Sequence, residues 1–94
     1  MPTQQGPSTT RQLNIEHKGR TFGIVPSMER TWVVTEMISR APYGRLVLLD
    51  EDGEDGLPVY GGIPAGYTEP LHQGSDWDGI VRALINQTDW DVDA

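Results

Sequence analysis

Asp50, Glu51, Asp52, Glu54 and Asp55 put five carboxylates within six positions, inside the stretch LVLLDEDGEDGLPVYGG. Acids at that density suit three purposes: holding a hard cation, wetting a turn, or forming a surface that another molecule reads. A calcium loop of the EF-hand type places oxygen ligands at alternate positions, glycine at the sixth and a bidentate acid at the twelfth. Counted from Asp50, Asp52 and Glu54 fit, but the sixth position is Asp55 and the twelfth is Gly61. The flanks read as strands, not helices, so no tight calcium site is expected. The plain reading is a solvated turn, in which Gly53 and Gly56 supply positive φ and the acids keep the tip wet.

The remaining chemistry-bearing residues form no working set. GGIPAG, residues 61–66, exposes backbone amides as a phosphate loop would, yet no lysine follows it and its surroundings are acidic. It reads as a tight turn or bulge. His17 and His72 stand 55 residues apart in a chain without cysteine, so zinc-ligand spacing, a disulfide and a thiolate nucleophile are all missing. Ser8, Ser27, Ser39 and Ser75 sit in no nucleophile elbow. Paired carboxylates abound, but glycosidase-like chemistry needs a deep cleft that a 94-residue chain rarely builds. The expectation is a protein with no catalytic residue, no cofactor and no metal.

Charge is the strongest signal. The net charge is −7, and it is split unevenly. Residues 1–49 carry six basic and three acidic side chains, whereas residues 50–94 carry Arg82 against eleven acids. Nucleic-acid affinity comes mostly from neutralising phosphates, so direct binding of DNA or RNA is disfavoured. Three acidic clusters stand out: Asp50 to Asp55, then Asp76 with Asp78, then Asp89, Asp91 and Asp93 around Trp90. Gathered on one side, they would present a spaced negative surface resembling a nucleic-acid backbone, to which a basic protein is steered over long range. Trp90 reads equally well as a contact anchor on that surface or as core beside Trp77.

These residues need a scaffold, and the hydrophobic pattern supplies one. MPTQQGPSTT, residues 1–10, reads as a flexible leader with no secretory signal. Residues 11–88 read as one α+β domain, and residues 89–94 as an acidic tail. Alternation at Leu13, Ile15 and His17, then at Phe22 and Ile24, predicts a hairpin turning at Lys18-Gly19. RTWVVTEMIS predicts a third strand over residues 31–38, with Trp32, Val34 and Ile38 on one face and Glu36 breaking the pattern. Leu46–Leu49 is an unbroken apolar run, as in a central strand covered on both faces. It is far too short to span a bilayer. LPVY predicts a short fifth strand, placed at an edge because Pro58 cannot donate to a ladder. Trp77, Ile80, Val81, Leu84 and Ile85 form one apolar helical stripe capped by Ser75 and fading by residues 86–88. The sum is an antiparallel sheet of four to five strands with one C-terminal helix on one face.

Function is then read from surface chemistry. The leading expectation is a small acidic protein-binding module in the cytoplasm. A concrete version is a nucleic-acid mimic, an inhibitor or regulator of the kind phages and mobile elements encode. It would occupy the nucleic-acid site of a basic protein through the acidic residues named above and Trp90. The rival is a non-enzymatic structural component, such as a virion or multi-subunit accessory protein. A third reading makes the first hairpin, with Arg11, Lys18 and Arg20, a weak nucleic-acid binder.

Overall fold

The computed structural model describes residues 7–53 and 56–93, with only the backbone at Val92 and Asp93. Six strands follow one another as an antiparallel meander: β1 (Leu13–His17), β2 (Arg20–Pro26), β3 (Thr31–Glu36), β4 (Pro42–Asp50), β5 (Val59–Pro64) and β6 (His72–Gly74). A single helix, α1 (Trp77–Asp93), completes the chain. The architecture is α+β, with one strand more than the pattern suggested.

The first hairpin turns at Lys18 and Gly19, both at positive φ, the two-residue geometry that matches strand twist. Register then decides which side chains share a face. Ile15 lies opposite Phe22, Ile24 opposite Val34, Trp32 opposite Leu46, and Leu48 opposite Tyr60. These form the inner face of the sheet. The helical stripe lands on it, burying Ile80, Val81, Leu84 and Ile85 in one core with Phe22, Ile24, Trp32, Val34, Leu46 and Tyr60. Each fully buried aliphatic side chain of the helix contributes about 1.5–3 kcal/mol relative to exposure. Trp77 packs on this core from its edge.

Glycine makes the space for the helix. Gly44, Gly62 and Gly74 step diagonally across β4, β5 and β6 on the inner face. A Cβ at Gly62 would lie 2.8 Å from Ile80 Cγ2 and 3.3 Å from Leu84 Cδ2; one at Gly44 would strike the Ile63 carbonyl. This corrects the reading of GGIPAG as a turn: its first four residues are strand, flattened so that α1 can approach. It also moves β5 from the sheet edge to the interior, since Pro58 precedes the strand and leaves the ladder intact.

Three further expectations change. β3 stops at Glu36, and Ile38 lies in the following turn, 89% exposed instead of packed beside Val34. The helix N-cap is Asp76, not Ser75: the Asp76 carbonyl accepts the Ile80 amide at 3.0 Å, and its carboxylate lies over Gly79. The segment expected as a tail from residue 89 is helix through Asp93, because Thr88 and Asp89 are both bonded to the sheet.

Candidate interaction surface

In a meander, alternate connections lie at opposite ends of the sheet. One end carries the β2–β3 turn, the β4–β5 loop and the β6–α1 junction. The other carries the β1–β2 and β3–β4 turns, the β5–β6 loop and the C-terminal end of α1. The acidic residues divide along the same line.

Asp50, Glu51 and Asp52 leave the end of β4, all three exposed. Asp50 Oδ1 accepts the Asp52 amide at 2.9 Å, turning the chain back on itself. Gly53 donates to the Leu57 carbonyl at 2.9 Å, which closes the loop. Glu51 accepts from Arg30 at 2.8 Å, an exposed pair worth about 0–1 kcal/mol. Asp76 and Asp78 stand at the start of α1, where carboxylates complement the helix dipole. Asp78 is bonded to Arg82 one turn along. Glu54 and Asp55 lie outside the described residues.

The third cluster is elsewhere. Asp89 follows Asp78 by eleven residues, about 16 Å along the helix axis, and it is engaged within the molecule. Asp89 accepts from Arg20 at 2.5 Å and from the Tyr43 hydroxyl at 2.9 Å, while Arg20 also donates to Tyr43 at 2.8 Å. Partial burial pushes the Asp89 carboxyl up, but the bonds from Arg20 and Tyr43 outweigh it and hold the group below its usual range. The same bond to Asp89 raises Arg20. Asp91 is exposed, accepts from Gln87 at 3.2 Å and raises the Tyr67 hydroxyl by hydrogen bonding. Trp90 is 72% exposed and takes no part in the core beside Trp77. The side chain of Asp93 lies outside the described residues.

The structure thus leaves Asp50 to Asp52 exposed at the end of β4, ties Asp78 to Arg82 on α1, and engages Asp89 as a clamp. Arg20, Tyr43, Arg82 and Asn86, which sequence patterning did not single out for this role, stitch α1 to the strands. Arg82 donates to the Glu16 carbonyl at 2.7 Å, and the Asn86 side chain meets His17 Nε2 at 2.9 Å. No local spacing signals contacts between residues so far apart in sequence. They also remove Arg20 from the proposed basic hairpin, and Arg11 lies at the opposite end of β1 from Lys18. Among the described residues, no group of three or more histidines or acids is placed to hold a metal, and His72 Nε2 is buried without a hydrogen-bond partner.

Beside the acidic rim is a hollow of about 370 Å³ floored by Trp32 and Leu48, with Met28, Arg30 and Glu51 around its mouth. A charged rim next to an apolar hollow can steer a partner by field and hold it by contact. No protein-family model, curated protein or solved structure matches this chain.

Proposed function

We propose that the chain is a non-enzymatic protein-binding module whose acidic rim docks a protein with a basic surface. The observation that carries this reading is the exposed run Asp50, Glu51 and Asp52 at the end of β4, with Glu51 lining the Trp32 hollow. Asp50, Glu51 and Asp52 are consecutive acids that repel one another, and wetting a loop needs fewer. In its concrete form, the rim stands in for a run of phosphates and occupies the nucleic-acid site of a basic protein in the cytoplasm, as an inhibitor from a phage or mobile element would. Supporting this are the exposure of Asp50, Glu51 and Asp52 and the weakness of their one ion pair. For the membrane, the bearing observation is that no helix among the described residues is long and apolar enough to cross one.

The test is affinity capture with two baits, the wild-type chain and the variant Asp50→Asn/Glu51→Gln/Asp52→Asn. A basic protein should be held by the wild type at low salt, released as salt rises, lost with the variant, and displaced by a DNA or RNA oligonucleotide. A partner held equally by both baits would overturn the acidic-rim reading. A second reading, an assembly component, is favoured by a different observation: Val25, Val33, Val47 and the half-exposed Leu49 stand on the outer face of the sheet, among threonines and Arg45.

A further inference from the structure

We infer that the hollow floored by Trp32 receives an arginine side chain of the basic partner, displacing Arg30 from Glu51, an assignment that rests on the acidic rim docking such a protein. The lining of the hollow is of two kinds. Met28, Trp32 and Leu48 are apolar, whereas Glu29, Arg30 and Glu51 carry charge. That combination suits a side chain with a long apolar stem and a charged head, which buries the stem along apolar surface and keeps the head in water. A volume of about 370 Å³ lies at the small end of ligand pockets, so it admits one side chain and not a folded element.

The sign of the head follows from the residues around the hollow. Glu29 is exposed and makes no ion pair among the described residues. Glu51 is flanked in sequence by the exposed Asp50 and Asp52. Against these four carboxylates stands Arg30, the single base among the described residues that line the hollow. A cationic head is drawn here and an anionic one is turned away.

The structure also displays the contact that this head would make. Arg30 Nη2 donates to Glu51 Oε2 at 2.8 Å, with side chains 48% and 64% exposed. A pair so open to solvent is held weakly, so one guanidinium can take the place of another at Glu51. The planar fork of a guanidinium matches a carboxylate, which favours arginine over lysine as the incoming group. Arg30 reaches Glu51 from a backbone at φ 62°, in the left-handed region where a non-glycine residue is uncommon. Its carbonyl accepts the Leu48 amide at 2.9 Å, which fixes that conformation beside the hollow. The turn thus keeps an arginine where glycine would fit without strain. Arginine is also among the residues that most often anchor protein interfaces.

The test is an amide NMR titration of the full chain with N-acetyl-arginine amide at constant ionic strength. The same titration is run with the uncharged citrulline analogue and with N-acetyl-lysine amide. The arginine probe should shift the Trp32 indole and the amides of Met28, Glu29, Arg30 and Thr31 saturably, with a millimolar Kd. The citrulline probe should bind at least about tenfold more weakly, and the lysine probe should fall between the two. Glu51→Gln should weaken the arginine probe by about tenfold. Arg30→Gly removes the competitor and suits the left-handed backbone, so it should tighten the probe several-fold. Shifts that do not saturate, or that the citrulline probe reproduces, would overturn the inference. So would a folded Arg30→Gly chain that binds the probe no more tightly than wild type. Failure of the rim reading looks different: the probe would saturate the hollow while the chain captures no basic protein, which would also overturn the choice of occupant. A basic protein lost with Asp50→Asn/Glu51→Gln/Asp52→Asn yet undiminished by excess arginine probe would leave the rim standing and overturn the hollow as its anchor.

Discussion

At the level of single residues, two carboxylates do structural work that their charge makes possible. Glu36 is only 6% exposed, yet it accepts the Ile38 amide at 3.2 Å, the Ser39 amide at 2.8 Å and the Ser39 hydroxyl at 2.5 Å. Those bonds, the Ser39 hydroxyl first, hold its carboxyl below the ordinary range. They also end β3, because the carboxylate caps a turn in place of continuing the ladder. Asp89 is lowered by Arg20 and Tyr43 against its partial burial. Both groups bind a proton less readily when folded than when unfolded. Their contribution is therefore complete above the ordinary carboxyl range and is lost as pH falls through the depressed folded values. The melting temperature should fall between pH 6 and pH 3, and it should fall less in Glu36→Gln/Asp89→Asn, whose starting stability is lower. An equal fall in both proteins would mean that these acids do not link folding to pH. Trp90→Ala, by contrast, should leave thermal unfolding unchanged, since the ring is 72% exposed. A drop of several degrees would place that ring in the fold.

Among the elements, the fit of α1 to the sheet rests on what is missing from the strands. Gly62 has no positive φ to require glycine, so its role is space alone. Gly62→Ala should cost about 1–3 kcal/mol as the helix is pushed from the sheet. Gly74→Ala, where a Cβ would make an ordinary 3.9 Å contact with Ile80 Cδ1, should be tolerated better. Equal effects in chemical denaturation would remove the close-approach account. The same residues mark how far the pattern could be read. The stripe at Ile80, Val81, Leu84 and Ile85 and the turn at Lys18-Gly19 were legible because local spacing dictates them. β5 was legible only at its start, Val59 and Tyr60, because a glycine-rich strand under a helix has no alternation to read, and β6 was not legible, because a three-residue edge strand has almost no pattern. Glu36 read as a flaw in a strand because its partners, Ile38 and Ser39, become relevant only once the chain turns. The acidic clusters were visible as composition, but their division between a rim and a clamp depends on Arg20 and Tyr43 meeting Asp89 across the fold.

For the whole molecule, the balance between attraction and repulsion of charges sets how stability responds to salt. Among the described residues the ion pairs number three: Arg20 with Asp89, Arg30 with Glu51 and Arg82 with Asp78. Against them stand fourteen acids to seven bases over the chain, and the pair at Glu51 is well exposed. Exposed pairs contribute little, whereas repulsion among like charges on a small body is felt by every acid within about one Debye length, about 10 Å at 0.1 M salt. Repulsion should therefore win. The wild-type melting temperature should rise as salt is added. Asp50→Asn/Glu51→Gln/Asp52→Asn should start higher and rise less, because the densest part of the repulsion has been removed at the cost of one weak pair. That variant would then be more stable and yet bind a basic partner less well, which is the pattern of a surface kept for contact at the expense of folding. A wild-type melting temperature that falls with salt would show the opposite balance, with the three pairs outweighing the repulsion, and the acidic rim would lose its claim to be a strained surface.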